Sequence, residues 1–322
     1  MKLMNKVKNQ HYVPQFYLKQ WTNNKEQLFV YDKKQKKSFT SNVKSIASSK
    51  FFYDFPVINE IVKNKIRIQL KKDGFEDTYI DNLFQEQVLE KSFSQLETIV
   101  APLLNQIIKK IDDISALSEE RVKNHPIFTN DNKQIFAHYI ASQLVRTNKH
   151  KLFQEDMTIQ LFDGMKRVYK NNTNDNLIVE VDNDYHEWQY LSNILSLTFE
   201  FSKIFESYKW IIYRNFTDMP FYISDNPVAQ YGQLGKVGLK EKGVEIRFPL
   251  SPRYELVIHE PTFLYEQYSL LDINNIHILD NLIDNIHQSN DLQIQNSESQ
   301  VYTNLDDYTF IENRLKQIRE QN

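Results

Sequence analysis

"KWIIYRNFTDMPFYIS", residues 209–224, is where the period of this sequence changes. Upstream of it apolar side chains recur every three or four residues. From Trp210 onward β-branched and aromatic residues come in runs too short for a helix, punctuated by Asn215 and Pro220, and this is the pattern of strands. "VEIRFPLS" (244–251) and "YELVIHE" (254–260) read the same way. Ahead of "VEIRFPLS", "GQLGKVGLKEKG" (232–243) holds four of the six glycines and reads as a loop.

Working back from that switch, the centre of the chain is helical. From residue 78 to about 112, Ile80, Leu83, Phe84, Val88, Phe93, Leu96, Val100 and Leu103 keep helical spacing, with a break expected near Pro102. A second run covers 132 to about 169 and a third 184–208. Nearer the start, "EQLFVYDKKQKKSFT" (26–40) reads as a hairpin with a lysine-rich tip, and "KFFYDFPV" (50–57) as a third short strand ended by Pro56. In the tail, "NNIHILDNLIDNIHQSN" (274–290) reads as helix, "LQIQ" (292–295) as a strand, and a last helix starts near residue 306. Strands at both ends with helices between predict an α+β fold: a sheet formed by the N-terminal hairpin and the C-terminal strands, around a central helical block. The expected organisation is one domain over 1–322, with 78–207 as a helical insertion or subdomain.

Composition narrows the chemistry. With no cysteine there is no thiolate nucleophile, disulfide, iron–sulfur cluster or Cys-type zinc site, and a reducing compartment fits best. The opening residues lack the apolar run of a signal peptide, and no stretch reaches the length of a membrane helix. The expectation is therefore a cytoplasmic protein with no membrane partner. Thirty-nine basic against 42 acidic side chains give a formal charge of −3, so any contact with nucleic acid must be local. No GxSxG elbow, GxxxxGK[ST] loop, GxGxxG or HExxH motif occurs.

Several segments resemble one family, domain of unknown function 4238: "HYVPQFYLKQW" (11–21), "FAHYIASQLVRT" (136–147), "KWIIYRNFTDMPFYISDNPV" (209–228), "FPLSP" (248–252) and "LDNLIDNIHQSNDLQIQNS" (279–297). They run in the family's order from end to end of the chain. Where the family's pattern has proline after the arginine–threonine pair, this chain has Asn148. The resemblance supplies positions and no chemistry. It also implies an accessory, defence-type setting in bacteria.

The polar residues of these segments are the candidates for a site. His11 titrates near neutrality, so it suits proton transfer or metal ligation, or it locks the N-terminus onto the sheet. Phe16, Tyr17 and Trp21 suit core anchoring or base stacking. Ser224, Asp225 and Asn226 sit where a strand ends, a common place for a catalytic carboxylate and equally for an Asx-type turn. Gln143 and Arg146 share a helix face with Tyr139. The arginine fork suits a phosphate, or a buried ion pair with Asp225 or Glu97. Glu90 and Glu97, two helical turns apart, could bind Mg²⁺ or Mn²⁺ together with Asp225. Asn281 is an orienting amide on the expected C-terminal helix.

The functional expectation is a nuclease-like hydrolase of phosphodiesters. His11, Asp225 and Arg146 would be catalytic, Gln143, Ser224, Asn226 and Asn281 would bind substrate, and Glu90, Glu97 and Asp225 would hold a metal. The partners would be a nucleic acid or nucleotide and a phage or defence-system protein. The alternative is a binding module that senses a phage protein or nucleotide without turnover. A third reading makes the polar residues purely architectural.

Overall fold

The computed structural model describes residues 6–57, 60–72, 74, 76–115, 127–173, 183–263, 277–281 and 283–321. The N-terminal part carries β1 (Asn9–His11), α1 (Gln15–Leu18), β2 (Gln27–Asp32), β3 (Lys37–Asn42) and β4 (Ser48–Lys50). Helices follow: α2 (Glu60–Lys72), α3 (Asp77–Leu83), α4 (Val88–Ser115), α5 (Asn130–Val145), α6 (Asn148–Thr173) and α7 (Asn183–Ser207). The C-terminal part carries β5 (Lys209–Asn215), β6 (Ile223–Ser224), β7 (Ala229–Gly232), β8 (Val244–Ser251), β9 (Tyr254–His259), β10 (His277–Asn281), α8 (Ile283–Asn296), β11 (Gln300–Thr303) and α9 (Thr309–Gln321). The fold is α+β.

The N-terminal hairpin does join strands of the C-terminal third. β2 and β3 pair antiparallel, and β2 takes β11 as its other neighbour, in a four-stranded sheet of order β3-β2-β11-β6. Most of the C-terminal strands form a separate five-stranded sheet of order β10-β5-β9-β8-β7, antiparallel except for β10 against β5. Every residue of β8 and β9 is buried, as expected for strands covered on both faces. Pro249 sits inside β8 at a register irregularity, the one setting in which a central strand tolerates a missing N–H donor.

One apolar core joins the helices to the five-stranded sheet. It runs from Tyr17 and Trp21 through Val100, Leu104, Phe136 and Ile140 to Trp210, Ile246, Phe248 and Leu256. Full burial of each such side chain is worth roughly 1.5–3 kcal/mol. α5 is buried from Phe136 to Val145 save one residue, so its C-terminal half is a core helix and not an amphipathic surface one. Thr129 caps it by accepting from the Asn132 N–H at 3.2 Å.

Five local expectations are corrected. The first long helical run is interrupted at residues 84–87 and not at Pro102, which lies inside α4. The interruption is held by Gln87, at φ 55°, whose side chain accepts from Val7 N and donates to Val7 O and Asp54. The second run divides at Arg146 and Thr147 into α5 and α6. There Arg146 leaves helical geometry and the Thr147 hydroxyl accepts from His150 N–H at the start of α6. "KFFYDFPV" is no strand: the strand ends at Lys50, β4 pairs with β1, and residues 51–53 turn. Residues 277–281 are strand and not helix, since the aliphatic run there pairs parallel with β5. "LQIQ" is the last turn of α8, because Gln293 and Ile294 are buried against other elements.

Candidate functional site

The stretch from His11 to Trp21 is pinned to the sheet by the polar ends of its aromatics. Pro14, extended at ψ 143°, opens the single turn of α1, and its fixed φ suits a helix start. That turn aims Tyr17 and Trp21 at the core. The Tyr17 hydroxyl donates to Pro249 O and Trp21 Nε1 donates to Phe221 O, each at 2.7 Å. Tyr17 also stacks on Phe248 at 4.8 Å. Both rings are fully buried, so these two anchor and cannot stack on a base.

His11 and Tyr12 are thereby held over the end of α5. Gln143 Nε2 donates to Tyr12 O at 2.7 Å, while Gln143 Oε1 accepts from Arg146 Nε and Nη2 at 3.1 and 2.9 Å. Arg146 Nη1 donates to Glu97 Oε1 at 2.9 Å, and the guanidinium lies over the Phe93 ring at 4.7 Å. Arg146 is fully buried, whereas the Glu97 side chain keeps 27 % exposure. Of the two ion pairs anticipated for this arginine, the one with Glu97 forms. Burial works against the Arg146 charge, but Glu97, Tyr53 and Tyr139 outweigh it and its pKa is raised.

Two titratable groups share the field of that arginine. Burial lowers the His11 pKa, and Arg146 lowers it further against the favourable backbone of Val43 and Lys44, so the imidazole is neutral at pH 7. Gln15 Nε2 lies 3.5 Å from His11 Nδ1, while the buried Nε2 has no hydrogen-bond partner. Glu90 goes the other way: burial and the repulsion of Glu97 push its carboxyl up to about 7 in spite of Arg146. His11 is thus a neutral imidazole and Glu90 a carboxyl half-protonated at neutrality, the protonation states that a base and an acid need. The buried Tyr139 hydroxyl in the same region also lacks a partner.

The turn after β6 is closed by comparison. Asp225 accepts the backbone N–H groups of Glu298, Ser299 and Gln300 at 2.7–2.9 Å. Burial nevertheless pushes its carboxyl up to about 6, against those donors and Lys33. Ser224 Oγ lies 2.9 Å from both Gln293 Oε1 and Asn226 O, either of which accepts its single proton. Asn226 Oδ1 accepts from Thr147 Oγ1 at 2.7 Å, and its Nδ2 donates to Asn296 O. Lys33 and Lys149 donate to the last carbonyls of α8, at Ile294 and Asn296, where cations suit the helix dipole. Lys33 is therefore not a solvated hairpin tip.

The chain thus brings the His11, Arg146 and Asp225 segments together: Tyr12 is bonded to Gln143, and Thr147 to Asn226. Their roles differ. Asp225 is occupied by backbone donors and does not orient His11. Among the described residues no group of three or more His, Asp or Glu side chains is placed to hold a metal ion, so Glu90, Glu97 and Asp225 do not gather, and no step is routed through a metal. Asn281 is the last residue of β10, opposite Asn215. It is on a strand and not on the helix expected for it, and its side chain lies outside the described residues.

Two polar groups went unread in the sequence. Gln10, fully buried, accepts from Tyr53 N and donates to Asp54, which also accepts from Gln87. The second lies on the five-stranded sheet, where Arg247 donates to Glu245 at 2.7 Å and to Ser289 at 3.0 Å, and Ser289 donates to Glu255 at 2.5 Å. His259 lies 3.5 Å from Glu245, and burial lowers its pKa to about 4. The signal for it was the spacing E-x-R in β8 and E-x-x-x-H in β9, charges on one face of strands that are otherwise apolar.

A family model described as protein of unknown function (DUF4238) matches residues 9–307. No curated protein and no solved structure matches the chain.

Proposed function

The chain belongs to the DUF4238 family, proteins of unknown function, and on that premise we propose that it is a hydrolase of phosphodiesters whose proton-transfer groups are His11 and Glu90. The observation that carries this reading is that a neutral His11 imidazole and a Glu90 carboxyl near pKa 7 both lie in the field of the buried Arg146. His11 takes a proton from water, the water oxygen bonds to phosphorus, the bond to the leaving oxygen breaks, and Glu90 gives that oxygen its proton. Arg146 holds the phosphate when a phosphate oxygen replaces Glu97, the only partly exposed partner of its fork. Ser224, Asp225, Asn226 and Gln143 frame the site. Its setting would be defence against phage, as a nucleic-acid-degrading effector.

A second reading, recognition of an anionic nucleotide without turnover, is favoured by the three hydrogen bonds that fix the Arg146 fork to Glu97 and Gln143 while leaving two of its five N–H donors for an anion. Expression of wild type beside His11→Ala and Glu90→Gln, followed by gels of host RNA and DNA, separates the two. The hydrolase gives fragmented nucleic acid with wild type and intact nucleic acid with both variants. Intact nucleic acid with wild type, together with a co-purifying nucleotide, supports recognition instead.

A further inference from the structure

β3 (Lys37–Asn42) is the outer strand of the four-stranded sheet, and every residue of it but Ser41 is exposed. Lys33 N–H donates to Ser299 O at 2.8 Å, so the odd residues of β2 bond to β11 and the even ones to β3. Across the register Val30↔Phe39 and Leu28↔Ser41, residues 37, 39 and 41 therefore turn their N–H and C=O groups toward β2. Ser38 and Thr40 turn theirs outward, where no further strand, loop or side chain among the described residues bonds to them.

Exposed edges are normally blunted by proline, a bulge, an inward charge or shortness. β6, the opposite edge of this sheet, is two residues long and packed by α8. β3 has six residues in continuous register with β2, and neither proline nor charge between Ser38 and Ser41. Phe39, 39 % exposed, lies in the middle. The cations stand at the ends. Residues 33–44 hold five lysines and no acidic side chain. Lys33 and Lys34 are occupied by the carbonyls of Ile294 and Ser297 and by Glu298. That leaves Lys36 and Lys37 at one end and Lys44 beyond the other, exposed and without an ion pair among the described residues. A phosphate backbone would use these three charges and leave the ladder of outward N–H and C=O groups empty, whereas an acidic peptide uses both.

We propose that β3 takes an additional strand from an acidic, extended peptide of another protein. Ser38 and Thr40 offer their N–H and C=O groups to its backbone. Phe39 offers an apolar neighbour to a β-branched or aromatic side chain, and Lys36, Lys37 and Lys44 pair with carboxylates at the ends of the peptide. β3 then becomes an interior strand, and the proposal is independent of any chemistry at His11 and Glu90.

The probe is a synthetic peptide of alternating valine and threonine with aspartates at both ends, labelled for fluorescence anisotropy. It is expected to bind, and to slow hydrogen exchange at Ser38 and Thr40 while Phe39 and Ser41, already bonded to β2, keep their rates. N-methylation throughout the valine–threonine core keeps the charges and removes the donors, and is expected to weaken binding by about ten-fold or more. Thr40→Pro deletes an outward donor and no bond of the fold, and Lys36→Glu with Lys44→Glu reverses one charge at each end. Each is expected to weaken binding by a similar factor, with an unchanged circular dichroism spectrum to verify folding. No binding to wild type, equal binding of the N-methylated peptide, or protection spread evenly over residues 38–41 would overturn the proposal. So would two other occupants: oligothymidylate that binds more tightly than the peptide and is lost in the charge variant, or self-association of wild type that Thr40→Pro abolishes.

Discussion

Thr147 donates a 2.7 Å hydrogen bond to Asn226, tying the end of the core helix α5 to the turn after β6 across 79 positions of sequence. Asn226 is at the same time bonded to the end of α8 through Asn296. Three segments far apart in the chain therefore share one side chain. Asn226→Ala leaves the buried Thr147 hydroxyl without its acceptor, at a cost of about 1–3 kcal/mol. The expected result is a lower urea midpoint with an unchanged slope; an unshifted midpoint would show that the tie is idle.

Asp225→Ala is expected to cost about 3 kcal/mol, since it strips the acceptor from three partly buried N–H groups of residues 298–300. Hydrogen exchange gives a specific readout. The amides of Glu298, Ser299 and Gln300 should lose protection in the variant while those of β8 keep theirs. Equal loss everywhere would argue for global destabilisation alone.

The Arg146–Glu97 pair predicts an asymmetry. Glu97→Ala leaves a fully buried guanidinium without its counter-charge and is expected to cost about 3–5 kcal/mol. Glu97→Gln keeps one acceptor for Arg146 Nη1 and should cost clearly less. Equal thermal midpoints for the two variants would remove Glu97 from its place in the cluster.

Glu90 sets a pH dependence. Its folded pKa, about 7, is raised above the unfolded value near 4.3. Its contribution to stability is therefore fully present below about pH 4.3 and is lost as pH rises through 7. Glu90→Gln mimics the protonated form, so the variant should match wild type near pH 4.5 and exceed it at pH 8. A stability difference that does not change with pH would place the Glu90 titration elsewhere.

Much of this was legible from residue types. The switch of period at residue 209 marks where helices give way to strands, and Tyr17 and Trp21 are buried, with Phe16 partly so, as their spacing implied. Gln143 and Arg146 share a face because three positions of a helix place them there. What stayed hidden depends on contacts distant in sequence. The break at residues 84–87 follows from Gln87 reaching Val7, 80 positions away, whereas the proline that looked like a breaker is accommodated in α4. Residues 277–281 carry too few positions to separate strand from helix by period, and only pairing with β5 decides them. Asp225 looked catalytic because it ends a strand, and nothing local to "SDNP" reveals that residues 298–300 would occupy it.

The pH profile of kcat/KM for bis(p-nitrophenyl) phosphate tests the central claim most directly. A base whose pKa lies below that of ordinary histidine and an acid near 7 predict a narrow bell. His11→Gln should remove its acidic limb and lower the rate about 10²–10⁴-fold, while Glu90→Gln removes the alkaline limb. No turnover by folded wild type, or a bell that keeps both limbs in both variants, would contradict the account.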